Sequence, residues 1–368
     1  MTNKPQIIVP KFVNDALSKV KYPGSEQSLV ALEMVQEIRI AGKKIDFSLV
    51  FQRSNDKNIP TVITMCKTTL AAAFGNDIEV NITPKALHNM ERPVLPGVKN
   101  IIAVSSGKGG VGKSTVSTNL AVSLAQTGAR VGIIDADIFG PSLPKMFGKE
   151  DAVPTGEKKD GIEMIFPIET HGVKMLSIGL FVGKDEALVW RGPMASNALK
   201  QLIMNGDWGE LDYLLIDLPP GTSDIHLSLV QTVPVTGAII VTTPQDVALA
   251  DVVKGVNMFN SKSIDVPVLG LVENMAWFTP EELPENKYYI FGKDGGKKLA
   301  EQLDIPLLGE IPIVQSIREG GDEGKPVALE EYSPTGQAFM QLAANVIREV
   351  ERRNAQKAPS QKVKTTKK

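Results

Sequence analysis

Residues 101–115 read Ile-Ile-Ala-Val-Ser-Ser-Gly-Lys-Gly-Gly-Val-Gly-Lys-Ser-Thr, and the fold follows from this stretch. The apolar run Ile101–Val104 has the character of a buried strand, and residues Val116–Gln126 that of a helix. Between them, Gly107 to Ser114 match the phosphate-loop pattern G-x-x-x-x-G-K-[ST] in the strand–loop–helix context it requires. A triphosphate must be met by donors that approach without a Cβ in the way. Gly107, Gly109, Gly110 and Gly112 free their backbone N–H groups for such a nest, and the helix N-terminus adds partial positive charge. Lys113 is placed to bridge the β- and γ-phosphates and Ser114 to hold Mg²⁺. The expected nucleotide contacts of the motif itself are Gly107, Gly109, Gly110, Val111, Gly112, Lys113, Ser114 and Thr115.

Two further apolar runs end in aspartates. Val131–Ile134 leads into Asp135-Ala136-Asp137-Ile138-Phe139-Gly140-Pro141-Ser142, and Leu214–Ile216 into Asp217-Leu218-Pro219-Pro220-Gly221-Thr222. In an open parallel sheet, ligands sit beyond the carboxyl ends of the strands, so both loops should converge on the phosphates. Asp217 then suits Mg²⁺, through a water, and Asp137 suits orientation of the attacking water. Asp135 reads equally well as structural or functional. Pro219-Pro220-Gly221 makes a stiff turn with a flexible end, suited to sensing a γ-phosphate. Downstream, the strand-like run Leu269–Val272, which excludes Val268, precedes Glu273-Asn274-Met275. The Asn274 amide could pair with adenine or cap the following turn.

Lys108 is not needed by a plain phosphate loop. The run Lys-Gly-Gly-x-Gly-Lys-Ser-Thr resembles the deviant Walker A loop of the MinD/ParA-type ATPases, and the resemblance implies that Lys108 reaches the nucleotide of a partner subunit in a homodimer. From about Pro96 to Val350 the chain resembles the Mrp family of iron–sulfur cluster carrier ATPases. Besides the phosphate loop, the resemblance rests on Asp135–Ser142, Trp190-Arg191-Gly192-Pro193-Met194, Asp212–Thr222, Glu273-Asn274-Met275 and Ile290-Phe291-Gly292. It implies a Mg²⁺-dependent ATPase with Lys108, Lys113 and Asp137 catalytic and Ser114 and Asp217 on the metal. It also directs Asn274 towards adenine. Partners implied are apo iron–sulfur proteins and cluster-assembly proteins.

One departure bears on the cargo. Many family members carry Cys-x-x-Cys between the Glu-Asn-Met and Ile-Phe-Gly motifs, where two subunits together bind a cluster. Here the segment reads Trp277-Phe278-Thr279-Pro280-Glu281-Glu282-Leu283-Pro284, slightly longer than the usual form. The cysteines would fall near Thr279 or Pro280 and near Glu282 or Leu283, and none is cysteine. The thiolates that normally hold such clusters are missing, so no ligands for an iron–sulfur cluster are identified. The Glu281-Glu282 pair reads as solvated carboxylates.

At 368 residues with a formal net charge of -2, the chain has room for one large and one small domain. Nothing in the charge balance calls for nucleic acid or an anionic membrane. Met1-Thr2-Asn3-Lys4-Pro5 opens no secretory segment, and no run reaches membrane-span length, so a cytoplasmic protein is expected. The one cysteine, Cys66, excludes an intramolecular disulfide and reads as a buried structural thiol on a helix. His88, His171 and His226 lack metal spacing.

The fold expected is α/β: a doubly wound, mostly parallel sheet preceded by a small α/β domain. Residues 1–83 form the small domain, similar in element order to domains of cluster-assembly proteins; 84–98 form a Pro-rich linker; 99–352 form the ATPase domain; 353–368 form a disordered Lys-rich tail. Gln337–Arg352 has an apolar stripe for packing on the sheet; its mixed-charge polar face argues against a membrane-surface helix. The function expected is an ATP-hydrolysing carrier or assembly factor for iron–sulfur clusters. The alternatives are a MinD/ParA-like spatial-organising ATPase, or a nucleotide-gated scaffold without cluster binding.

Overall fold

The computed structural model describes the chain except residues 1–7, 26, 54–55, 89–93, 139, 160–161, 182–191, 281, 284 and 364–368. It divides into two compact units, Met1–Pro93 and Val94–Lys368.

In the first unit, helix α1 (Pro10–Leu17) starts with proline at its first turn, where no intrahelical N–H is lost. Strands β1 (Val35–Ala41) and β2 (Lys44–Arg53) pair antiparallel around Gly42; helix α2 (Ile59–Phe74) then leads to β3 (Glu79–His88), which pairs parallel with β2. Val13 and Leu17 of α1, Leu49 and Phe51 of β2, and Val62, Cys66 and Leu70 of α2 form the core. Strand pairing reaches His88, so the stretch expected to begin a linker at 84 continues the sheet instead.

The second unit opens with β4 (Val98–Ser106), α3 (Lys113–Gln126), β5 (Val131–Asp135) and the short α4 (Leu143–Met146). A hairpin of β6 (Gly156–Lys159) and β7 (Ile162–Ile165) precedes β8 (Ile168–Thr170) and β9 (Val173–Ser177). Then come α5 (Gly192–Asn205), β10 (Leu211–Asp217), α6 (Asp224–Thr232), β11 (Gly237–Thr242), α7 (Asp246–Phe259) and β12 (Val268–Phe278). The unit closes with α8 (Gly295–Leu303), β13 (Leu307–Ile313), α9 (Gln315–Glu323) and α10 (Pro334–Gln356). Eight strands form one sheet in the order β13-β12-β11-β4-β10-β5-β9-β8, parallel except for β8 against β9. Both faces are covered, which is why its strands are apolar at consecutive positions. On β4, Ile101 and Ala103 face the core beneath α5, α6, α7 and α8, while Ile102 and Val104 face the opposite core beneath α3 and α10.

The apolar stripe of α10 is spent in that second core: Phe339, Leu342, Ala343, Val346 and Val350 are buried. Ser333 caps the helix by accepting from the Gly336 N–H, with Pro334 at its first turn. Three expectations are corrected. Val268 opens β12, which continues through Glu273-Asn274-Met275 to Phe278 with a register shift after Asn274 and a left-handed Met275. Val94 and Leu95, in the expected linker, pack on the core of the second unit. The expected tail is helical to Gln356, and beyond it the Val363 N–H donates to the Val230 carbonyl at 3.0 Å while its side chain packs on the core. Residues 364–368 lie outside the described residues.

Candidate nucleotide site

β4 ends at Ser106 and α3 begins at Lys113, so the phosphate loop spans the central strand and the helix it feeds. Gly112 is left-handed, with φ 81°, and a Cβ there would strike the Asn274 amide. A Cβ at Gly107 would lie 2.5 Å from the Asp251 carbonyl carbon on α7, so glycine sets how closely that helix approaches. Lys108 is exposed on the loop, and Val111 is buried within it.

Lys113 is only 6% exposed, and its Nζ donates to Asp217 Oδ2 at 2.8 Å. The same oxygen accepts from Ser114 Oγ at 2.6 Å, and Asp217 Oδ1 accepts from Ser117 Oγ at 2.5 Å. One buried carboxylate thus gathers a lysine and two hydroxyls from α3. Asp137 Oδ2 lies 3.9 Å from Lys113 Nζ, which brings the second aspartate loop to the same place. Ser117 was absent from the sequence-derived candidates. Its signal is spacing: four residues after Lys113, it lies on the same helix face, towards the strand that carries Asp217.

Asp135 is fully buried, and parallel register sets it directly beside Asp217 on β10. Burial first, and then the charge of Asp217, push its pKa up to about 7. Its Oδ1 accepts from the Asp137 N–H at 3.2 Å; its Oδ2 accepts from the Leu143 N–H at 3.2 Å and from Ser177 Oγ at 2.9 Å. Asp135 therefore clips both ends of the loop that carries Asp137. Phe139, within that loop, lies outside the described residues. The Asp217 loop is tied to β4, with the Leu218 N–H donating to the Val104 carbonyl at 2.9 Å and the Gly221 N–H to the Ser106 carbonyl at 2.8 Å.

Asn274 is buried with its Nδ2 donating to the Val111 carbonyl at 2.8 Å, so one side of its amide serves the phosphate loop. Neighbouring Glu273 accepts from the Gly296 N–H and thereby holds the first turn of α8. Thr115 is half-buried, its carbonyl taking a hydrogen bond from Asn119 Nδ2 at 2.9 Å.

The segment at the expected cysteine positions leaves β12 at Phe278 and returns at Tyr288, where the two backbones exchange hydrogen bonds of 2.8 Å. Lys287 Nζ lies 3.8 Å from the centroid of the Trp277 ring. Glu282 and Leu283 are exposed; Glu281, Trp190 and Arg191 lie outside the described residues. Among the described residues no group of three or more His, Cys, Asp or Glu side chains converges as a metal site. Cys66 is buried in the first unit, and burial pushes its thiol up to about 12, which keeps it protonated and unreactive. No described helix is long and apolar enough to cross a membrane.

A family model for ParA, described as NUBPL iron-transfer P-loop NTPase, matches residues 97–347. The iron-sulfur cluster carrier protein of Escherichia coli (strain K12) is 50% identical over 341 residues, covering 91% of this chain and 90% of that protein. The iron-sulfur cluster transfer protein NUBPL of Dictyostelium discoideum is 46% identical over 259 residues, covering 70% of this chain and 78% of its own length. Among solved structures, a nucleotide-binding protein of Archaeoglobus fulgidus in complex with ADP is 38% identical, with a TM-score of 0.57 over 67% of this chain and 93% of that one.

Proposed function

Because this chain belongs to the iron-transfer P-loop NTPases of the NUBPL type, we propose that it binds and hydrolyses ATP and uses the cycle to assemble or deliver iron–sulfur clusters. The observation that carries this reading is the convergence of Lys113, Ser114, Ser117 and Asp217 with Asp137 close by, at the mouth of a parallel sheet. The donor set fits Mg²⁺: the Ser114 hydroxyl and the Asp217 carboxylate are hard oxygen ligands, and both already face one another. When bound, Mg²⁺ supplies positive charge to the β- and γ-phosphate oxygens. Lys113 exchanges its contact with Asp217 for the phosphates, which the backbone N–H groups of the loop also receive. Asp137 orients the attacking water, and Asp135 keeps its loop in place. Asn274 shares its amide between the loop and adenine.

The working form in this reading is a homodimer in which Lys108 reaches the partner's nucleotide. It acts in the cytoplasm on apo iron–sulfur proteins and cluster-assembly proteins. A [4Fe–4S] cargo normally takes four thiolates, whereas each subunit has one cysteine, buried and protonated at neutral pH. Cluster handling therefore draws on thiols from outside the chain. The test is ATP hydrolysis and cluster transfer to an apoprotein under anaerobic conditions, with and without Mg²⁺ and an added small thiol. Hydrolysis that stops with a chelator, and ATP-accelerated transfer only with added thiol, are expected. Hydrolysis without any effect on transfer would favour a spatial organiser; nucleotide-dependent association without turnover would favour a scaffold.

A further inference from the structure

His226, in the first turn of α6, is 0% exposed and uses both ring nitrogens. The backbone N–H of Ser223 donates to its Nδ1 at 3.2 Å. A backbone N–H can only donate, so Nδ1 is the acceptor and the proton of the neutral ring sits on Nε2. Nε2–H then donates to Ser105 Oγ, also at 3.2 Å. The ring packs against Phe259 of α7 with centroids 6.3 Å apart. Burial, the larger cause, and the positive charge of Lys113 hold the ring neutral.

The partners give this arrangement its meaning. Ser105 lies on β4 just ahead of the phosphate loop, and Ser223 closes the loop that begins at Asp217. That loop already hangs from the carbonyls of Val104 and Ser106. His226 adds the intervening residue of β4 through its hydroxyl, so consecutive residues of the strand hold the loop and the start of α6. On the far side, α7 meets the phosphate loop where Asp251 faces Gly107.

We propose that His226 is a positioning residue of the nucleotide switch, resting on the ATPase reading above. It fastens the start of α6 to the root of the phosphate loop. A γ-phosphate that rearranges residues 218–223 then moves α6 as a body, instead of being absorbed by slack at the helix cap. This gives the Asp217 loop an output at the surface of α6, on the face opposite the sheet.

The test compares the parent with His226→Gln, His226→Leu and Ser105→Ala. Readouts are kcat and KM for ATP, and amide exchange of residues 224–232 with and without a non-hydrolysable ATP analogue. Glutamine at this third helical position can accept from the cap N–H and donate onward, whereas leucine supplies bulk alone. His226→Leu is expected to lower kcat about tenfold, which converts to ~1.4 kcal/mol of barrier, with KM within about twofold. It also abolishes the nucleotide-dependent protection of α6. His226→Gln keeps both properties within about threefold of the parent, and Ser105→Ala falls between parent and leucine variant. Should the leucine variant not fold, Ser105→Ala cuts the same link from β4 and decides alone. Unchanged kcat and protection without the link overturn the assignment. So does equal damage from glutamine and leucine, which marks a packing effect. A parent with no response to ATP would sink the ATPase reading itself, and is told apart because the parent is then as silent as its variants.

Discussion

Replacing Lys113 by methionine should weaken the protein even with no nucleotide present. Lys113 Nζ lies 2.8 Å from Asp217 Oδ2, and the two side chains are 6% and 0% exposed. At an effective dielectric of ~20 that separation corresponds to about 6 kcal/mol of attraction. Desolvation offsets roughly half, so removing only the lysine should cost about 3 kcal/mol, because a buried carboxylate is left without its cation. Asp135 worsens the loss by standing beside Asp217 in register. Methionine preserves most of the volume, which keeps a cavity term out of the comparison. The assay is urea unfolding followed by tryptophan fluorescence, since Trp190, Trp208 and Trp277 all lie in the second unit. Lys113→Met, Asp217→Asn and the double variant complete the cycle, and the double variant should recover about 2 kcal/mol of the summed losses. Additivity within about 0.5 kcal/mol would refute the reasoning, because the pair would then contribute nothing as a pair.

Asp137→Ala should leave ATP affinity within about threefold while slowing hydrolysis by about 10²-fold, the scale of one preorganised catalytic group; equal loss of binding and turnover would contradict that division. Lys108→Ala mixed with Lys113→Ala subunits should give a per-site ATPase rate unlike either homodimer, measured after subunit exchange; full activity in a strict monomer would end the cross-subunit role. His226 is held down to about 4 by burial, so as pH falls below its ordinary 6.5 the unfolded chain takes up a proton that the folded chain does not. Its contribution is complete above that value, declines as pH falls and levels off below the folded pKa. Between about pH 7.5 and about pH 5 the parent should therefore lose ~2 kcal/mol relative to His226→Gln, read from unfolding midpoints at both pH values. A pH-independent difference would mean that the imidazole takes up its proton as readily in the folded protein as in the unfolded chain, and a difference of opposite sign that it is charged in the folded protein.

Much of the large unit was legible from local pattern. The phosphate loop is contiguous, so Gly107 to Thr115 declare themselves without tertiary information. Buried parallel strands appear as short apolar runs, and aspartates at their ends mark the site because ligands collect at the carboxyl edge of such sheets. The region from Gly156 to Ser177 escaped this reading, since its strands are only three to five residues long, too short for alternation to register. Polar α9 escaped it for the opposite reason: it has no buried residue to set a period.

The sequence by itself determined the chemistry on offer: a phosphate-loop motif, Asp137 and Asp217 at strand ends, and a single cysteine, too few for an all-thiolate cluster. Only the tertiary structure decided what those groups do to one another. Strand order sets Asp135 against Asp217, joins Lys113 and Ser117 to a carboxylate about a hundred residues away in the chain, turns Asn274 onto Val111, and delivers His226 to Ser105. Period-two alternation states which face of a strand is buried but not which strand lies beside it. Neighbours are chosen by packing across the whole sheet, and a pairing between distant residues leaves no mark in either local pattern.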